Sequence, residues 1–143
     1  MRIFTIGYEG TTMAEFLAAL QSASVERVID VRALPLSRRP GFSKSPLRIA
    51  LSEVGIDYVH LKALGTPSDG RSAARAGRQA DLERIYTGQL ESPEAIVQAE
   101  QMRELAAEKP SALLCYERDP AGCHRSLLLA AVARDAAVTH LFP

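Results

Sequence analysis

Arg2-Ile3-Phe4-Thr5-Ile6-Gly7-Tyr8-Glu9-Gly10-Thr11-Thr12, with Val25-Glu26-Arg27-Val28-Ile29-Asp30-Val31 a helix-length further on, is the stretch that decides the fold. Arg2 to Ile6 is short and apolar, the pattern of a buried strand, and Gly7-Tyr8-Glu9-Gly10 ends it. Thr11 or Thr12 can cap a helix whose first turn holds Glu15, the reciprocal arrangement of a capping box. Met13, Phe16, Leu17 and Leu20 then fall on one face of that helix. Val25 to Val31 reads as a second β-branched strand. Strand, helix and strand within about thirty residues make a βαβ unit, which demands parallel strands and a right-handed crossover.

The pattern continues outward. Ala33 to Pro46 carries three prolines and Gly41, an irregular stretch whose length marks a functional loop. Pro46 to Val54 reads as a helix closed by Gly55 in a left-handed cap, and Ile56 to Leu61 as a third strand. Ser68 to Arg78, rich in Ser, Gly, Ala and Arg, reads as a flexible loop or short helix, and Ala80 to Tyr86 as a brief helix. Ser92-Pro93 starts another helix, with Ser as cap and Pro in the first turn, which runs towards Pro110. Ser111 to Tyr116 is a fourth strand, a helix follows Gly122 to about Asp135, and Val138 to Phe142 is a fifth strand. The expected architecture is α/β: a three-layer, mostly parallel open sheet.

At 143 residues the chain is expected to form a single domain, residues 1–143, with enough length for one core. It is 47% hydrophobic and 24% charged with a formal net charge of zero, which gives no reason to expect DNA coating or binding to an anionic membrane. Charge is nonetheless uneven. Arg32, Arg38, Arg39, Lys44 and Arg48 follow one another with no acid between them, and Arg71, Arg75 and Arg78 come later. No segment approaches the roughly 20 apolar residues of a membrane span, so no membrane partner is expected. Two cysteines without an export signal point to reduced thiols in the cytoplasm, where a Cys115–Cys123 disulfide is not expected.

Ligands of open parallel sheets bind beyond the carboxyl ends of the strands. Tyr8 and Glu9 follow the first strand, Arg32 the second, Lys62 and Thr66 with Gly65 the third, and Glu117 to Arg125 the fourth. Gly122 to Ser126 falls at a helix N-terminus, where free backbone N–H groups hold an anion; Arg125 is expected to supply a fork and Ser126 a hydroxyl. Cys123 at that terminus, beside His124 and Arg125, is a candidate nucleophile with a lowered pKa, whereas Cys115 reads as core. Glu117, Glu9 and His124 are the candidate proton carriers. In the long loop, Arg38, Phe42, Ser43 and Lys44 suit phosphate contact with a ring stacked on Phe42. No cofactor is expected, and no metal: the Cys and His spacing matches no zinc pattern, and adjacent Cys-His seldom ligate one ion.

Several blocks carry a resemblance. Thr5-Ile6-Gly7-Tyr8-Glu9-Gly10, Ile29-Asp30-Val31-Arg32 with Pro35, Gly41-Phe42-Ser43-Lys44, Gly55 to Leu61 with Leu64-Gly65-Thr66-Pro67, and Leu114-Cys115-Tyr116-Glu117 with Cys123-His124-Arg125 resemble the signature blocks of the domain of unknown function 488 family. The resemblance extends over nearly the whole chain and is weakest from Ser68 to Leu90. It implies an α/β, Rossmann-like fold and brings no activity with it. More distantly, Asp30-Val31-Arg32 and a strand followed by Arg125-Ser126 on a helix are similar to the layout of rhodanese sulfurtransferases and cysteine phosphatases. The chain departs from that layout: Arg125 lies ten positions after Cys115, and Ala121 stands where a phosphatase arginine would fall.

Three functional expectations follow, and the residues leave open whether the chain is an enzyme. The first is an enzyme or binding protein for a phosphate-bearing partner, a nucleotide or nucleic acid, with its anion site at the Cys-His-Arg helix terminus. The second is a cysteine-dependent sulfurtransferase, phosphatase-like or redox protein using Cys123. The third is a non-catalytic module binding nucleic acid through the basic loop. Sequence sets neither the substrate nor the oligomeric state.

Overall fold

Strand β1 (Arg2–Gly7) lies inside a five-stranded sheet between β4 (Ser111–Cys115) and β5 (Ala137–Leu141), while β2 (Arg27–Asp30) joins β4 on its other side and β3 (Asp57–His60) forms the far edge. The computed structural model of the chain describes residues 1–143, Gly122 only through the turn it belongs to. Every strand pairing is parallel, so the architecture is the expected three-layer α/β. The order β3-β2-β4-β1-β5 exchanges the positions of the first and fourth strands relative to the 3-2-1-4-5 order of dinucleotide-binding sheets.

Helix α1 (Met13–Ser22) starts at Thr12, whose side chain accepts from Glu15 N while Glu15 accepts from Thr12 N, the reciprocal cap foreseen in the sequence. Its Phe16 and Leu20 pack with Leu47 and Leu51 of α2 (Lys44–Glu53) against Phe4, Ile6, Val28, Ala112 and Leu114 on one face of the sheet. Each of these buried side chains except Ala112 contributes roughly 1.5–3 kcal/mol of hydrophobic stabilisation. Helix α2 begins two residues earlier than the sequence suggests, because Pro46 is tolerated in a first turn whose N–H groups have no intrahelical partner.

The other face carries α3 (Ser68–Arg75), α4 (Gln79–Leu90), α5 (Pro93–Glu108) and α6 (His124–Val132). Tyr86, Ala95, Ala99, Met102, Leu128 and Leu129 meet Ile3, Ile29 and Leu113 there. The segment from Ser68 is thus a helix, and α4 runs from Gln79 to Leu90, longer than its weak periodicity indicated. None of the described helices is long and apolar enough to cross a membrane.

Handedness explains this division. From β1 to β2 to β3 the chain moves towards one edge, with α1 and α2 on one face; from β3 to β4 to β5 it moves back, with α3 to α6 on the other. Right-handed crossovers require that change of face when the direction reverses. The loops after β1 and β2 therefore depart to one side and the loop after β4 to the other, which opens a crevice at the carboxyl end of β4. The last residue of β4 is Cys115.

Candidate functional site

A cavity of about 440 Å³ occupies that crevice. Tyr8 after β1, Arg32 after β2, Thr66 before α3, Cys115 and Glu117 at the end of β4, and His124 at the start of α6 all line it. Arg71 and Arg75 of α3, with Leu34, Leu36 and Leu82, close its sides. Its size suits a small molecule, and its lining mixes apolar walls with a few converging polar groups.

Arg32 reaches the cavity wall, but its donors are directed inward. Its Nε and Nη2 form a two-pronged pair with Asp30 at 2.9 and 2.8 Å, and its Nη1 donates to Tyr8 Oη at 3.2 Å and to the Phe42 carbonyl at 2.7 Å. Burial alone would lower the Arg32 pKa, but the hydrogen bonds and charge of Asp30 raise it overall, so the guanidinium stays charged. Asp30, fully buried, also accepts from Tyr58 Oη at 2.5 Å. Phe42 stacks on Tyr8 with centroids 4.7 Å apart and is 1% exposed. It is a core residue holding Tyr8 in place, which corrects the expectation of a stacking platform for a ligand ring.

The turn after β4 holds the cysteines. Cys115 and Cys123 are joined by a disulfide, contrary to the expectation of two reduced thiols. The seven residues between them follow the 3-10 turn Pro120–Gly122 back over the strand end, bringing the Cys123 cap of α6 down onto Cys115. Arg125 is wholly buried beneath this turn; its Nη1 donates to Cys115 Sγ at 3.3 Å and its Nη2 to the Arg118 carbonyl at 3.1 Å. Its Nε finds no hydrogen-bond partner among the described residues. Burial pushes the Arg125 pKa down to about 10, which leaves it cationic at neutral pH. Arg125 therefore faces the sulfur from below and does not offer the fork expected at the α6 terminus.

His124 sits where the extended backbone of Cys123 turns into α6. Its Nε2 lies 2.8 Å from the Val31 carbonyl, an acceptor only, so Nε2 carries the proton and Nδ1 presents a lone pair 3.7 Å from Cys123 Sγ. Burial pushes the His124 pKa down to about 4, and the imidazole is neutral at pH 7. Glu117 Oε2 lies 3.5 Å from Cys115 Sγ, and burial raises its pKa above the ordinary carboxylate value. One donor atom each from Cys115, Cys123 and His124 comes within 4.8 Å of the other two, a convergence that their sequence spacing does not suggest.

The remaining candidates stand away from this centre. Glu9 is exposed and accepts from Arg118 N at 3.1 Å, tying β1 to the turn after β4. Ser126 donates to the Pro120 carbonyl at 2.6 Å and closes that turn. Ser43 hydrogen-bonds with Ser37 N at 3.0 Å, pinning the long loop, while Arg38 on that loop and Lys44 at the start of α2 are exposed. Gly65 is a packing position: a Cβ there would fall 2.1 Å from Ala33 N.

Cys115, Arg71 and Arg75 line the cavity too, though the sequence put none of them forward as a site residue. Cys115 could have been found, since the last residue of a central parallel strand lies at the binding edge. Arg71 and Arg75 are four apart, hence on one face once α3 is known to be a helix, but nothing local to the Ser/Gly/Ala-rich segment identifies it as one.

A family model described as domain of unknown function DUF488 matches residues 12–132. Neither the curated proteins nor the solved structures contain a match to the chain.

Proposed function

The chain belongs to the DUF488 domain-of-unknown-function family, a description that names no activity, and from the cavity itself we propose that it is a thiol–disulfide oxidoreductase acting on a small substrate that bears negative charge. The observation that carries this reading is the Cys115–Cys123 pair, of which Cys115 lines the cavity, with the Arg125 guanidinium 3.3 Å from Cys115 Sγ. A fixed cation beside a sulfur favours the thiolate, which is the nucleophile in disulfide exchange.

In the dithiol form, Cys115 is the attacking residue, because it lines the cavity. Its proton passes to Glu117, whose raised pKa makes it a better base than an exposed carboxylate. The Cys115 thiolate attacks one sulfur of a substrate disulfide; the substrate S–S bond breaks, a Cys115–substrate disulfide forms, and the first substrate thiolate leaves and takes up a proton. Cys123 then gives up its proton to water and attacks Cys115 Sγ. That step forms the Cys115–Cys123 bond and releases the second substrate thiolate. Two electrons have moved from the pair to the substrate, and a cellular dithiol reductant returns the pair to its starting state. Arg71 and Arg75 on the cavity side supply positive charge to the substrate.

The test is exchange between the reduced protein and glutathione disulfide. Cys115→Ser should slow it about 100-fold or more, since the activated nucleophile is gone, and Cys123→Ser should accumulate a mixed disulfide at Cys115 visible by mass. Unchanged exchange by Cys115→Ser overturns the reading. A second reading, binding of a phosphate-bearing ligand, is favoured by Arg71 and Arg75, with Arg125 turned away from that role. Saturable nucleotide binding by the Cys115→Ser variant, with no disulfide exchange in the wild type, would favour it instead.

A further inference from the structure

We propose that the reduced Cys115 and Cys123, together with His124, form a binding site for one thiophilic divalent metal ion of the zinc(II) class, with its open coordination position facing the cavity. Thiolate and neutral imidazole are the donors such an ion prefers, and three protein ligands with one open position is its usual reactive arrangement. The three donor atoms already lie within 4.8 Å of one another in buried surroundings.

The backbone geometry favours an ion between the sulfurs. The Cα atoms of Cys115 and Cys123 are 7.5 Å apart, wider than the roughly 4.4–6.8 Å usual for directly bridged cysteines. Two thiolates on one tetrahedral ion with bonds of about 2.3 Å hold their sulfurs about 3.8 Å apart, which suits a wider pair of Cα atoms. Adjacent Cys and His seldom share an ion because neighbouring side chains on a uniform backbone diverge. Here Cys123 is extended (φ −120°, ψ 149°) and His124 is the first helical residue, and that change of conformation turns the two side chains towards each other.

The surroundings complete the argument. His124 donates its Nε2–H to the Val31 carbonyl, the outer hydrogen bond that fixes the orientation of a ligating imidazole and leaves Nδ1 for the ion. Arg125 donates to Cys115 Sγ, a second outer contact that steadies a ligating thiolate. Two thiolates neutralise a divalent ion, and Glu117 balances Arg125, so the buried centre carries no net charge with the ion in place. Cys115 and His124 line the cavity, so the fourth position takes water or a soft donor brought by a ligand. Disulfide and metal complex are alternative states of the same sulfurs, and metal binding does not require that the pair turn over.

The probe is cobalt(II) titrated into the full-length, reduced, metal-free protein without oxygen. The expected result is one cobalt per chain, with thiolate-to-cobalt charge-transfer absorption and the intense visible bands of a tetrahedral ion, all lost on adding zinc(II). Cys115→Ser and Cys123→Ser should each weaken the charge-transfer band and the affinity, the latter about 10-fold or more. The disulfide form should give no bands. Absence of the charge-transfer band in the reduced wild type overturns the proposal, as do bands that survive unchanged in both variants. Exchange with glutathione disulfide is measured on the same metal-free protein. Exchange without a cobalt band refutes the metal site and leaves the oxidoreductase reading standing; a cobalt band without exchange does the reverse.

Discussion

Gly7 ends β1 directly against Arg125: a Cβ at Gly7 would fall 2.8 Å from Arg125 Nη1 and 1.8 Å from the Glu117 carbonyl oxygen. The close approach lets the guanidinium lie under the cysteine pair while the chain leaves β4 beside it. Gly7→Ala must displace backbone at Glu117, which cannot swing aside as a side chain can. Overpacking of this kind typically destabilises by about 1–3 kcal/mol. Urea unfolding should show that loss, and iodoacetamide should alkylate reduced Cys115 more slowly in the variant, because its cation has been moved. Wild-type stability together with wild-type alkylation would show that the contact is not needed.

Asp30 and Arg32 form a buried charge pair in the crevice, and the prediction there concerns stability. Asp30 accepts from Arg32 N, Nε and Nη2 and from Tyr58 Oη, and is fully buried. Asp30→Asn leaves the guanidinium charge uncompensated and should destabilise by about 3–5 kcal/mol. Pairing it with Arg32→Met removes the orphaned charge, so the double variant should be more stable than the sum of the single losses predicts. Additive losses would show that the two side chains do not act as a pair.

At the opposite end of the sheet, Asp57 accepts from Lys109 Nζ at 2.6 Å and lies 3.7 Å from Arg27 Nη2. The Lys109 hydrogen bond, then the Lys109 and Arg27 charges, hold the Asp57 pKa below its ordinary value. The folded protein therefore releases this proton more readily than the unfolded chain. The resulting stabilisation is fully present above the unfolded pKa of about 3.9 and disappears as pH falls through the lower folded value. Asp57 is half-exposed, so the amount is below about 1 kcal/mol. In urea titrations at successive pH values, Asp57→Asn should be slightly less stable than the wild type at neutral pH, the two converging below about pH 4. A constant gap across that range would assign the loss to packing.

Much of this was legible in the chain because the signals are local. The Thr12–Glu15 cap, the Ser92-Pro93 helix start and the β-branched runs each state their own conformation, and strand–helix alternation then forces the parallel sheet. Tyr8, Arg32, Thr66, Glu117 and His124 could be placed on one edge because a parallel sheet sends every strand end to the same side. Side-chain direction beyond the strand ends was not legible. Phe42 turns inward because Tyr8 and Phe16 offer it two aromatic partners, and Arg125 does so because the turn before α6 folds over the strand end. Both depend on contacts between segments far apart in sequence. The cysteine pairing has the same origin, since only the 3-10 turn at Pro120–Gly122 carries Cys123 back to Cys115.

Arg71 and Arg75 give the last prediction, which concerns substrate charge. Arg71 donates through Nη1 to the Thr66 carbonyl at 2.9 Å and Arg75 through Nη2 to Ser72 Oγ at 3.2 Å, so α3 holds both on the cavity side with donors to spare. They line the cavity from α3, and their charge should act on binding and leave the sulfur chemistry alone. Arg71→Ala with Arg75→Ala should raise KM for glutathione disulfide about 10-fold, the loss of one or two partly exposed charge-assisted contacts, with kcat nearly unchanged. Hydroxyethyl disulfide, which carries no charge, should be reduced equally well by the double variant and the wild type. An equal loss for both substrates would mean that α3 shapes the cavity and does not read charge.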